Sequence, residues 1–537
     1  MSTTAYHPSK SFSLKRKASF ANIEEQASSN NKSRSSSRLF DLPPVLFHII
    51  FADYLYVEDM TSFDNAICNH TDRTRYLALL NGMLVSLSWH IDTSDELAWI
   101  HKRQLRLERV TFGSNIDAED LCTLYPLHWS SIKQAEFNEE PSADISCMVE
   151  CLLKCTSLEI LKLIFFDDFD DENTEEEFQK EQVDALLSIF DDSDFCAHLR
   201  DISFQANDFI VNDETVVAIS KYCHNLVRIS FGDSYIGSDA MIQFVSSCGA
   251  NLQEFSFLNC KNYSDSDYKR IIEYCPRLTK IRSNVSSGAF MSEIGRCYPD
   301  LLTLILFDVE DDNSQSQSKG LIDLFEGCRK LQNLRIASSV SDDDSLISLS
   351  VLIRAFECCR DLRSVSFSLA RITARVLGSL ALNCSQVEKL TLFGINVSRE
   401  DWLQFSVICN FPKLRTLTCS YIDICDRFLL EFVRKSTLLQ DIDIASCKHV
   451  TDPGMSHIAT HCRNLRCICL RDLHHVSSPD YLIDILTNNP KIRKPGFSFS
   501  LSSYSTSDSL ILVNNKPKSK DQVAYTAKLQ ALLNSRA

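Results

Sequence analysis

Glycine and proline are scarce in this chain, 13 of each in 537 residues, which excludes a collagen-like repeat and a wholly disordered low-complexity chain. No run of 18 apolar residues occurs, so no transmembrane helix is expected. The first residues lack the apolar stretch of roughly 7–15 residues that a secretory leader needs. Positive charge is in deficit: 55 Lys and Arg stand against 71 Asp and Glu, giving a net charge of -16 and a pI near 5.3. Such a chain repels phosphate backbones, so general nucleic-acid binding is not expected, and with no apolar span no membrane partner is expected either. The sequence also lacks a Gly-rich phosphate loop, Gly-x-Ser-x-Gly, His-Glu-x-x-His and an EF-hand loop. No catalytic residue, resident metal or cofactor is therefore assigned. The carboxylates of Asp167–Glu181 form a charge run, read as a solvated loop or a contact for a basic partner, and His474-His475 read as surface histidines in a turn.

What is abundant is cysteine, 22 residues, within a composition that is 44% hydrophobic. Without a secretory pattern these are expected as thiols in a reducing compartment, cytoplasmic, nuclear or both. Zinc is the rival, and spacing separates the two. A unit Cys-x-x-Leu-x-x-apolar-x-apolar recurs, clearest at Cys223/Leu226/Ile229/Phe231 and again at Cys328/Leu331/Leu334/Ile336 and Cys462/Leu465/Ile468/Leu470. Related units with one or two extra residues begin at Cys248, Cys297 and Cys409. Counting the first Leu or its equivalent, anchors run from Ile132 to Ile492 with a period near 26. A 41-residue step holds the acidic insertion. That period lies in the leucine-rich-repeat range.

The Leu-x-x-apolar-x-apolar stretch alternates with period two, as a strand does, and the residues between strands have helical spacing. The expectation is an α/β leucine-rich-repeat solenoid of about 14 units over 131–497, with a parallel inner sheet and outer helices. No unit buries its apolar face alone, so stacking supplies the core. Thiols strung one per unit do not converge as metal ligands must, and a buried ladder of small apolar groups is expected. Cys358-Cys359 and the pair Cys467/Cys469 are left as thiols that could react or bind metal. Before the repeats, 1–38 reads as a disordered Ser-rich basic arm, in which Lys15-Arg16-Lys17 fits either an import signal or a solvated tail. Residues 39–90 read as a small helical domain, 91–130 as a linker or cap, and 498–537 as a tail.

The repeats resemble the cysteine-containing leucine-rich repeats of F-box proteins. Cys447-x-x-Val450-Thr451-Asp452-x-Gly454-Met455-x-x-Ile458 followed by Cys462-x-x-Leu465 carries the resemblance. Residues 42–60 then resemble the opening of an F-box through Leu42-Pro43, Ile50-Phe51, Tyr54-Leu55 and Asp59-Met60. Farther on the family has Val-Cys-x-x-Trp, where this chain has Ile67-Cys68-Asn69-His70 and no tryptophan follows. The resemblance implies a non-catalytic substrate receptor of a Skp–cullin–F-box ubiquitin ligase, with Leu42, Pro43, Leu46, Ile50, Phe51, Leu55 and Met60 docking a Skp-type adaptor and the repeats holding a protein destined for the proteasome. Two alternatives stand beside it. The same apolar face could cap the first repeats, and the chain could be a free-standing scaffold or inhibitor with no ligase role.

Residues flanking the second apolar anchor of each strand should face away from the core. Among them Arg228, Glu254, Lys280, Arg282, Arg335, Lys389, Asp441 and Asp443 are the candidate substrate contacts. Lys280, Arg282, Arg335 and Lys389 suggest a basic middle patch for an acidic or phosphorylated segment, against the alternative of ordinary polar strand surface.

Overall fold

The computed structural model describes residues 57–500 except 68–69, 84–87, 104, 106, 114, 117–119, 122–128, 140–144, 166–174, 206–210, 233, 259–262, 285–286, 308–314, 338–346, 369–371, 396, 398, 474, 477–479 and 493–496. They fall into two compact units, one ending at Val285 and the other starting at Ser286. Each is a leucine-rich-repeat solenoid in which strand and helix alternate and neighbouring strands pair in parallel in sequence order. No helix among the described residues is long and apolar enough to cross a membrane.

Among the described residues the N-terminal unit begins with α1 (Val57–Ala66) and α2 (His70–Met83). Its strands are β1 (Ser88–Ile91), β2 (Arg109–Phe112), β3 (Gln134–Glu139), β4 (Ile160–Phe165), β5 (Asp201–Gln205), β6 (Arg228–Ser230), β7 (Glu254–Phe257) and β8 (Lys280–Ser283). Helix α3 (Ser94–Arg103) lies between the first two. Strand β1 pairs with β2, and β2 with β3. The ladder thus starts at Ser88, ahead of the expected boundary at 131, because Leu107-x-x-Val110-x-Phe112 repeats the strand pattern without the leading cysteine; all three side chains are buried.

The C-terminal unit carries β9 (Thr303–Phe307), β10 (Asn333–Ala337), β11 (Ser364–Ser368), β12 (Lys389–Phe393), β13 (Thr416–Ser420), β14 (Asp441–Ala445), β15 (Cys467–Arg471) and β16 (Phe497–Ser500). Leu304 and Leu306, Val365 and Phe367, and Ile468 and Leu470 point inward while their neighbours face out, the period-two alternation expected of a half-buried strand. Every anchor from Ile132 to Ile492 is buried, and each such Leu or Ile is worth roughly 1.5–3 kcal/mol.

Helix ends are set locally. Asn212 accepts a hydrogen bond from the Thr215 amide, and Ser264 and Asp267 form a reciprocal capping box. Cys223, Cys275, Cys359, Cys384 and Cys462 each occupy the C-cap that turns the chain into the next strand. The helices Gly288–Cys297 and Gln315–Gly327 approach backbone to backbone. A Cβ on Gly320 would stand 2.1 Å from the Gly288 carbonyl oxygen, and one on Gly327 would stand 2.0 Å from that of Gly295. Glycine spaced by seven on both helices is what lets them touch there.

Candidate functional site

Of the adaptor-facing set, Leu42, Pro43, Leu46, Ile50, Phe51 and Leu55 lie outside the described residues, as do the basic arm and most of the tail. Met60, the remaining member of the set, is 3% exposed, and its carbonyl accepts the Tyr76 hydroxyl at 3.1 Å. Helix α1 packs against α3 and β1. The contact is pinned by Asp64, whose carboxylate is fully buried. Arg103 reaches Asp64 Oδ2 through Nε at 2.8 Å and Nη2 at 2.5 Å, and the Trp99 indole N–H donates to the same oxygen at 3.0 Å. Arg73 Nε lies 3.0 Å from Oδ1, an ion-pair contact without hydrogen-bond alignment. Burial, with the Asp64 charge adding to it, pushes the Tyr76 hydroxyl far above its ordinary pKa.

The predicted basic patch divides between the two units. In the N-terminal unit the register sets opposite charges side by side across neighbouring strands. Lys162 reaches Glu136 at 3.2 Å, Arg228 reaches Asp201 at 2.7 Å and Lys280 reaches Glu254 at 2.8 Å. Arg228, Glu254 and Lys280 are therefore largely neutralised within the sheet face. Arg282 sits opposite Ser256 on the same face and is half-buried.

The C-terminal unit differs. Arg335 and Lys389 are exposed and have no carboxylate partner among the described residues. The Arg335 guanidinium carbon lies 5.6 Å from the centroid of the Phe307 ring, in cation–π range. Around the two cations is an open cleft of about 580 Å³, lined also by Asn333, Ser364, Ser366, Ser368, Thr391 and Phe393. Two cations among hydroxyl and amide donors can hold an anion by charge-assisted hydrogen bonds. Farther along, Asp441 accepts from the Thr416 hydroxyl at 3.2 Å, and Asp443 pairs with Arg471 at 3.0 Å. Cys467 and Cys469 stand opposite these two aspartates and are half-buried. Burial and the two aspartates raise the Cys467 thiol above its ordinary pKa, the opposite of what activates a nucleophile.

The ladder thiols are buried, Cys297 excepted. There the extra residue shifts the frame, and Tyr298, 3% exposed, takes the C-cap. The ladder is also hydrogen-bonded: Cys384 Sγ donates to the Cys359 carbonyl, Cys359 Sγ to that of Cys328, and Cys328 Sγ to that of Tyr298, at 3.4–3.5 Å. Burial pushes Cys328, Cys384 and Cys462 up to about 12. In the last repeat Asn489 takes the equivalent place, accepting from the Leu465 amide and donating to the Cys462 carbonyl, both at 2.9 Å. Among the described residues no three His, Cys, Asp or Glu side chains are grouped so as to hold a metal ion.

Sequence reasoning did not single out the end of the strands in this unit. Gly394, Tyr421, Ser446 and Asp472 each follow a strand directly and have φ between 52° and 59°. Tyr421 is 60% exposed and meets Phe393, 37% exposed, edge to face at 5.3 Å. The one available signal is Gly394, a residue suited to a left-handed turn, one repeat before an aromatic at the same place.

No family model matches the sequence, and no curated protein matches it. Among solved structures the chain is similar to the crystal structure of the Rad7 and Elc1 complex from yeast, with a TM-score of 0.41 and 12% identity over 89% of this chain and 96% of that one.

Proposed function

We propose that this leucine-rich-repeat protein is a non-catalytic receptor that holds a protein substrate on the exposed sheet face of its C-terminal unit, for a Skp–cullin–F-box ubiquitin ligase. The observation that carries the binding half is the cleft over β9–β12, where Arg335 and Lys389 face solvent without a carboxylate partner among the described residues. Elsewhere on the sheet faces Lys162, Arg228, Lys280 and Arg471 are paired. Leaving two cations uncompensated favours an acidic or phosphorylated segment as the ligand. The ligase half rests on the F-box-like sequence 42–60 and on the cysteine-containing repeats that resemble that family. The same proposal places the chain in the cytoplasm, the nucleus or both.

The test is charge reversal at Arg335→Glu with Lys389→Glu. Proteins that co-purify with the intact chain under proteasome inhibition should be lost from the variant and should accumulate in cells that carry it. Unchanged capture and turnover refute the assignment of the face. A second reading, a free-standing scaffold or inhibitor, is favoured by the burial of Met60 and by the packing of α1 on α3, which suit an N-terminal cap. Binding of a Skp-type adaptor separates the two.

A further inference from the structure

We propose that Phe393 and Tyr421 anchor a bulky apolar side chain of an extended peptide whose acidic residues reach Arg335 and Lys389. The inference rests on reading this face as the substrate-binding surface, and adds to it an apolar specificity element and a spacing.

Three observations carry it. The first is the pair itself. Single exposed apolar side chains are ordinary, but here two aromatic rings, 37% and 60% exposed, pack edge to face on the outer end of β12 and just past β13. A rigid aromatic pair offers contact area at a small entropic cost. The second is the backbone. Tyr421 has φ 56°, a conformation disfavoured for a tyrosine, while Gly394, Ser446 and Asp472 fill the equivalent turns with residues that are small or polar. The repeat imposes the turn, so what points to function is the choice there of a large tyrosine with its ring exposed, where the neighbouring repeats use small or polar residues.

The third is charge and distance. Phe393 lines the same cleft as Arg335 and Lys389. Lys389 and Phe393 share the exposed face of β12, four residues apart, which at a strand's rise is about 13 Å. Arg335 is in register with Ser366 and Thr391, two strands away, which places it about 12 Å from Phe393. An extended segment crosses that distance in about four residues. Ser366 and Thr391 lie between the anchor and the cations and supply hydroxyl groups for the ligand's backbone. The occupant is thus a peptide with an aromatic or large aliphatic residue about four positions from Asp or Glu.

Random dodecapeptides displayed on phage, panned against the full chain, provide the test. The enriched peptides are synthesised and titrated against the intact chain, the Phe393→Ala/Tyr421→Gly variant and the Arg335→Glu/Lys389→Glu variant. The enriched peptides should pair an apolar residue with an acidic one at about that spacing. Each variant should weaken binding by about tenfold or more, with the melting temperature of the aromatic variant held. Glycine suits the turn at 421, so loss of fold does not mimic loss of binding. Peptides that bind the aromatic variant as tightly as the intact chain overturn the anchor, even where charge reversal abolishes binding and the anionic reading stands. Binding unaffected by either variant overturns both, and panning that enriches no such pairing overturns the anchor.

Discussion

The buried thiols make the fold sensitive to alkali in a way that can be calculated. Cys328, Cys384, Cys447 and Cys462 all lie in the C-terminal unit, and burial pushes each of them up to about 12. In the unfolded chain a thiol titrates near 8.5. Between those values the unfolded state releases protons that the folded state retains, so stability is complete below about pH 8.5 and falls as the pH rises towards 12. Each thiol costs about 1 kcal/mol between pH 9 and pH 10, so the four cost about 4 kcal/mol, against the roughly 5–15 kcal/mol that typically holds a folded domain. Guanidinium unfolding followed by circular dichroism at several pH values measures it. Lysine and tyrosine titration also contributes in this range, so the decisive comparison is with Cys384→Ala and Cys462→Ala. Each should be less stable at pH 8, where it loses a buried side chain, yet should show a pH slope shallower by about one proton. A flat profile from pH 8.5 to 10, or equal slopes in variants and parent, refutes the buried ladder.

Three further substitutions probe the packing. Asp64→Ala removes the shared partner of Arg73, Arg103 and Trp99 and should cost about 3–5 kcal/mol, releasing α1 and α2 to proteolysis before the repeats unfold; unchanged protease resistance refutes the clamp. Gly327→Ala places a methyl 2.0 Å from the Gly295 carbonyl oxygen and should cost about 1–3 kcal/mol, read as a lower melting temperature, whereas an unchanged melting temperature contradicts the close helix contact. Asn489→Ala leaves the buried Leu465 amide without its acceptor and should cost about 1–3 kcal/mol, with hydrogen exchange at Leu465 rising; protection equal to the parent's argues against that bond.

The strand frame was legible because each anchor must be buried and each strand must alternate, two constraints that write themselves into the spacing of Leu226, Ile229 and Phe231. The first two strands were missed because the frame was keyed to cysteine, and neither Trp89/Ile91 nor Val110/Phe112 follows one. Position alone put Lys280 on the solvent-exposed face of the sheet. Its neutralisation depends on register, which sets Glu254 directly opposite, and only that pairing shows why Arg335 and Lys389 are the more informative cations. For Tyr421 the sequence offered only Gly394 one repeat earlier, since the backbone angle is imposed by the end of the strand ladder, where the Tyr421 amide bonds the Ala445 carbonyl at 3.0 Å.

The central claim is that the repeat array presents a substrate to a ligase reached through residues 42–55. Sedimentation of the purified full chain with a purified Skp-type adaptor tests it most directly. The account predicts a one-to-one complex that is lost on Ile50→Asp with Leu55→Asp, while circular dichroism shows the repeats still folded. Absence of a complex with the intact chain, or a complex indifferent to those two changes, contradicts it and leaves a free-standing binding scaffold.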